Sequence, residues 1–219
     1  HAGPEIGVAS TKAFSCQLSI LYFLVIKAAK EKDIIDNNQE AELVKSILQL
    51  PSIIVDALSL ESEIKLAAQE LSKASNAIFL GRGAMYPLAL EGALKLKEIS
   101  YIHAEGYASG ELKHGPIALV DENMPVIVLA PKDELFDKTV SNMHEVMARG
   151  GKVLLITDTE GASEAQEGTW KTIIMPKISN DLAPILYSIP AQLLAYHTAV
   201  SKGTDVDQPR NLAKSVTVE

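Results

Sequence analysis

The chain has 219 residues, 47% of them hydrophobic and 22% charged, with a formal net charge of -8 and a pI near 5.2. That balance excludes a disordered chain and supplies enough Val, Ile and Leu for a real core, while the acidity speaks against a nucleic-acid partner, which needs a basic field. A single cysteine, Cys16, excludes an internal disulfide and a cysteine-rich metal site and fits a reducing, cytoplasmic setting.

Along the chain, residues 1–12 read as a loop broken by Gly3, Pro4 and Gly7, with Ser10 or Thr11 placed to cap the first helix. Because the chain opens on His1 rather than Met, it is read as a fragment or a processed product. A largely apolar helix is predicted over 12–32. Ser15, Gln17, Ser19 and Lys27 interrupt its greasiest part, so it is expected to be a buried helix rather than a membrane span, with Cys16 a small buried hydrophobe. No signal-peptide pattern is seen. A second helix runs to about Leu50, and Pro51 can open a third. From Ala77 the pattern becomes short apolar runs alternating with helical stretches. Strands are predicted at Ala77–Leu80, Val126–Leu129, Val153–Asp158 and Thr172–Met175; helices at Pro87–Ser100, 133–149 and 182–201. Gly150 and Gly203 serve as C-terminal stops. Strand–helix alternation means an α/β fold: a doubly wound parallel sheet flanked by helices, with ligands expected beyond the carboxyl ends of the strands.

Four segments carry candidate chemistry. Gly81-Arg82-Gly83 between strand and helix is a possible anion turn or simply a tight turn. Glu91, Lys95 and Glu98, spaced four and three apart, share one face of an otherwise apolar helix. A carboxylate beside a lysine there can serve as a general base, against the plainer reading of a solvated ion-paired face. His103 to Pro116 reads as a loop rich in Gly, His, Glu and Lys. Its Glu111-x-x-His114 spacing has no second copy, so metal is not expected and His114 reads as an acid/base or positioning group. The segment from Asp205 to Glu219 is either a disordered tail or a packed irregular arm whose Lys214 can form a Schiff base with a ketose.

The stretches Glu5–Phe14, Ala89–Glu105, Gly110–Pro116 and Asp205–Glu219 together closely resemble the isomerase half of the glutamine–fructose-6-phosphate aminotransferases, also called glucosamine-6-phosphate synthases. The resemblance implies two sugar-isomerase (SIS) domains behind a glutaminase domain. Residues 1–50 would be the end of the first SIS domain, and 51–219 the second with an active-site arm at 203–219. The glutaminase domain, with its N-terminal cysteine nucleophile, and the phosphate-binding Ser/Thr loops of the first SIS domain lie outside this sequence. By the family motif, Lys214 forms an imine with open-chain fructose 6-phosphate. Glu98 moves a proton between C1 and C2, and Lys95 assists it. His114, supplied across a homodimer, opens the sugar ring, while Val8, Ser10 and Ala213 touch the sugar. The product would be glucosamine 6-phosphate, made with glutamine-derived ammonia and no cofactor. The rival readings are a stand-alone SIS isomerase or amino-sugar deaminase, and a non-catalytic sugar-phosphate-binding module.

Overall fold

A computed structural model describes residues 2–214; residues 215–219 of the expected arm lie outside it. Three helices come first, α1 (Lys12–Glu31), α2 (Asn37–Leu58) and α3 (Glu61–Leu71). After them come β1 (Asn76–Gly81), α4 (Met85–Ser100), β2 (His103–Ala108), 3-10 turns at Ser109–His114 and Pro116–Leu119, β3 (Pro125–Leu129), α5 (Phe136–Met147), β4 (Lys152–Asp158), α6 (Thr159–Ala165), β5 (Lys171–Met175) and α7 (Ala183–Lys202).

The five strands are all parallel, in the order β2-β1-β3-β4-β5. The strand order therefore reverses at β1, which lies between β2 and β3. Every residue of β3 is buried, as a strand covered on both faces requires. On one face Phe79, Ile127, Leu154 and Ile173 pack under α3, α4 and α7, through side chains such as Leu71, Leu96 and Leu194. On the other face Leu80, Val128 and Leu155 pack against Phe136, Met143 and Val146 of α5. Each such aliphatic side chain contributes about 1.5–3 kcal/mol on burial, so the two-faced sheet is the stable centre of the molecule. A smaller cluster, Ile47, Leu50, Leu182 and Ile185, holds α2 to the start of α7.

Several expectations are corrected. Helix α2 runs unbroken through Pro51 to Leu58, and the turn falls at Ser59–Leu60. Pro51 lacks the N–H that would bond back to Ile47, but Ile47 and Leu50 anchor the preceding turn in a buried cluster, so the helix continues. His103–Ala108 is a strand rather than part of a loop, and α6 is an added short helix. Helix α1 is not buried: Ile20, Leu21, Leu24 and Val25 are all more than half exposed, and Cys16 is exposed with them. By length and composition α1 is apolar enough to cross a membrane. Neither Ser10 nor Thr11 caps it through its own side chain; the Glu5 carboxylate takes that place. The glycine stops behave as read: Gly150 (φ +81) and Gly203 (φ +72) adopt the left-handed backbone that ends each helix region.

Candidate active site

A helix that comes after a strand in a parallel sheet runs back toward the strand's start. The last turn of α4 therefore lies at the amino edge of the sheet, opposite the carboxyl edge where strand–helix alternation alone puts a ligand. A cleft of about 320 Å³ opens there, between the loop before α1, the ends of α4 and α7, and the C-terminal arm; Glu5, Lys95, Ile99, Tyr196 and Asp207 line it.

Lys95 forms the floor of this cleft. It is 4% exposed, with its ammonium 2.7 Å from Glu98 Oε2 and 3.6 Å from Glu91 Oε1. The three-and-four spacing read from the sequence thus becomes one buried cation between two carboxylates. Burial pushes the Glu91 carboxyl up; the Lys95 charge opposes this and the Glu98 charge adds to it. Helical spacing puts Glu91 on this face but assigns it no role.

The arm supplies the second amine. Residues 203–214 are packed rather than disordered. The Thr204 hydroxyl donates to Ile99 O at 2.6 Å, and Asp205 accepts from the N–H groups of Asp207 and Gln208. Pro209 is buried, and the Arg210 guanidinium lies 4.1 Å from the Tyr101 ring centre while its backbone N–H donates to the Tyr101 hydroxyl. Val8 N–H donates to Asp207 O at 2.9 Å, joining the arm to the opening loop. At the end of the arm, Lys214 Nζ donates to Glu5 Oε2 at 3.1 Å and to Val8 O at 3.2 Å.

Glu5 is the residue that sequence reasoning missed. Its Oε1 accepts from the N–H groups of Thr11 (3.0 Å) and Ala13 (3.1 Å) and from the Ser10 hydroxyl (3.4 Å). The carboxylate thereby satisfies free donors at the start of α1 and sits at the positive end of its dipole. Burial acts against its charge, but the Thr11 and Ala13 amides, with Lys214 and Ser10, outweigh it and hold the carboxyl down at about 2. No local spacing announces this role, because Glu5 lies outside the usual capping positions and its amine partner is 209 residues away.

Of the candidate residues, the structure brings Val8, Ser10 and Lys214 together around Glu5, with Lys95 lining the same cleft and Glu98 paired to Lys95. Ala213 is exposed beside Lys214. His114 is not brought there. It is exposed on the 3-10 turn after β2, at the carboxyl edge of the sheet, and makes no hydrogen bond among the described residues. The six residues of β2 separate the two edges, a span of about 20 Å at 3.3 Å per residue. Arg82 is also at that far edge, where its guanidinium bonds Asn142 at 2.9 Å. His197, buried, pairs with Glu61 at 3.0 Å, and His144 is exposed. No three His, Cys, Asp or Glu side chains are grouped as metal ligands among the described residues.

A buried lysine–carboxylate pair and a tethered primary amine at one cleft can make an imine at a sugar carbonyl and move a proton beside it. The family described as the SIS domain matches residues 70–202, and the chain belongs to that family. More narrowly, it is 62% identical, over all of its 219 residues, to the glutamine–fructose-6-phosphate aminotransferase [isomerizing] of Rhizobium meliloti (strain 1021), of which it spans 36%. Among solved structures, it is similar to the C-terminal domain of glucosamine-fructose-6-phosphate aminotransferase from Francisella tularensis, with a TM-score of 0.91 and 48% identity. That match covers 94% of this chain and 58% of the other. A second, glucosamine-6-phosphate deaminase from Thermotoga maritima, gives a TM-score of 0.71 at 26% identity, covering 97% of this chain and 58% of the other. The chain thus corresponds to the C-terminal isomerase portion of its aminotransferase relatives and spans about a third of their length.

Proposed function

We propose that this chain is the isomerase part of a glutamine–fructose-6-phosphate aminotransferase, turning fructose 6-phosphate and ammonia into glucosamine 6-phosphate and water. Residues 1–50 are the end of a preceding SIS domain, 51–219 form the second, and the ammonia comes from a glutaminase domain of the whole protein. The observation that carries the reading is the seating of Lys214 on Glu5 and Val8 at the cleft that Lys95 lines.

The Lys214 amine adds to C2 of the open-chain ketose and water leaves, giving an imine. An imine is a better electron sink than a ketone. Ammonia displaces Lys214 at C2; Glu98 then takes a proton from C1 and returns one to C2 while the O1 hydroxyl proton passes to the nitrogen, leaving an aldose with an amine at C2. A positioned carboxylate contributes about 10²–10⁴-fold in such a step. Lys95 orients Glu98 through their 2.7 Å ion pair. Val8, Ser10 and Ala213 contact the sugar. His114, which opens the ring, comes from a second copy in a homodimer, a reading supported by its position about 20 Å of strand away from the cleft of its own chain. No metal or organic cofactor enters the scheme. We assign the protein to the cytoplasm, in keeping with the unpaired, exposed Cys16, with the exposed face of α1 covered by protein rather than lipid, and place the product on the route to UDP-GlcNAc.

The test is trapping. The full-length protein treated with fructose 6-phosphate and borohydride should gain one reduced hexose phosphate on the peptide holding Lys214, and Lys214→Arg should abolish it. An adduct at another lysine defeats the assignment. The likeness to the deaminase favours a second reading, amino-sugar deamination; product formation from fructose 6-phosphate that depends on glutamine or ammonia decides against it.

A further inference from the structure

We propose that Arg82 is a positioning residue for His114, holding the turn that presents the imidazole to the neighbouring copy's cleft. The inference rests on the ring-opening role proposed for His114.

Arg82 sits where the strand order reverses, in the turn between β1 and α4. That turn is sterically fixed: a Cβ on Gly81 would overlap the Met85 carbonyl, and Gly83 has φ +55. The Arg82 side chain crosses to the next strand's end. A Cβ on Gly110 would lie 3.0 Å from Nη2 and 3.4 Å from both Cζ and Nη1, so the guanidinium lies close across Gly110. The same Nη2 donates to Asn142 Oδ1 at 2.9 Å, and Asn142 is buried on α5. The Ser109–His114 turn is therefore clamped between Arg82 and α5, with Ser109 and Leu112 wholly buried beneath it.

A second tie, Lys113 to Glu145 at 2.8 Å, is solvent-exposed on the lysine side and correspondingly weak. Beyond His114, Gly115 at φ +143 reverses the chain. His114 has no hydrogen bond of its own among the described residues, so its direction is set by the turn, and the Arg82 guanidinium, itself held by Asn142, packs across that turn at Gly110. The anion-turn expectation for Gly81-Arg82-Gly83 gives way here to a different use of the same arginine.

The experiment compares Arg82→Ala, His114→Ala, the double variant and Gly110→Ala in the full-length protein, by steady-state turnover and hydrogen exchange. Arg82→Ala should speed amide exchange selectively over 109–114 and lower kcat about 10- to 100-fold, the scale of a misplaced group, with KM little changed. Gly110→Ala, which displaces the guanidinium by tenths of an ångström, should move both readouts the same way by less. The double variant should be no slower than His114→Ala alone, since a residue acting only through His114 has nothing left to act on. Native exchange over 109–114 in Arg82→Ala, or multiplicative losses in the double variant, overturns the inference. Full turnover by His114→Ala overturns instead the ring-opening reading on which it stands, and with it the purpose assigned to Arg82.

Discussion

Glu5→Gln removes one charge at the junction of α1, the opening loop and the arm. The amide oxygen can keep the Thr11 and Ala13 N–H groups, but its NH₂ then faces the Lys214 ammonium, donor against donor. The carboxyl is held at about 2 rather than 4.5, which at about 1.4 kcal/mol per tenfold amounts to about 3 kcal/mol in favour of the folded state. The Lys214 side chain is 44% exposed, so solvent screening reduces this to about 1–2 kcal/mol. The folded value is depressed, so the stabilisation is complete above pH 4.5 and fades as the pH falls toward 2. At pH 7 the variant should melt about 2–8 °C lower, at 2–4 °C per kcal/mol for a chain of this size. In urea titrations at pH 7, 5, 4 and 3, the difference between the two proteins should narrow across the last three. A gap equally wide at pH 7 and pH 3 would refute the electrostatic account, leaving only lost packing.

Lys95→Met leaves Glu91 and Glu98 facing each other on a partly buried face and should cost about 3–5 kcal/mol at pH 7. Burial already pushes the Glu91 carboxyl up, and the Lys95 charge that opposes this is gone, so denaturant midpoints should recover part of the loss at pH 4.5. Gly81→Ala drives a methyl into the Met85 carbonyl and should cost about 3 kcal/mol or more, since the obstacle is backbone; thermal melting or failure to accumulate folded protein reports it. Leu24→Lys, at a position 55% exposed on α1, should change the stability of this chain by less than about 0.5 kcal/mol in the same melt.

What the residues disclose by themselves depends on how local the cause is. β1, β3 and β4 are continuous apolar runs because both faces are covered, and they were legible. β2 was not, since His103, Glu105 and Gly106 look like loop residues. The strand lies at the sheet edge, and Gly106 is there because the α4 backbone at Ala89 and Leu90 passes so close that a Cβ would come within 2.7 Å. The Glu91–Lys95–Glu98 face emerged from helical spacing alone. The apolar character of α1 announced a surface that wants covering, but not that this chain leaves it uncovered. Glu5 and the seat of Lys214 were invisible for a different reason: their pairing depends on where the whole intervening sheet returns the chain.

That pairing has a kinetic corollary. A contact spanning 209 residues confronts a large loop-closure entropy until the domain between its partners is formed. The Lys214 amine therefore reaches its seat only after the sheet and its helices have assembled, and completion of the cleft becomes a late event in folding. A nascent or partly unfolded chain carries the same lysine but has nowhere to lodge it, so the imine chemistry proposed for Lys214 waits on the folded protein.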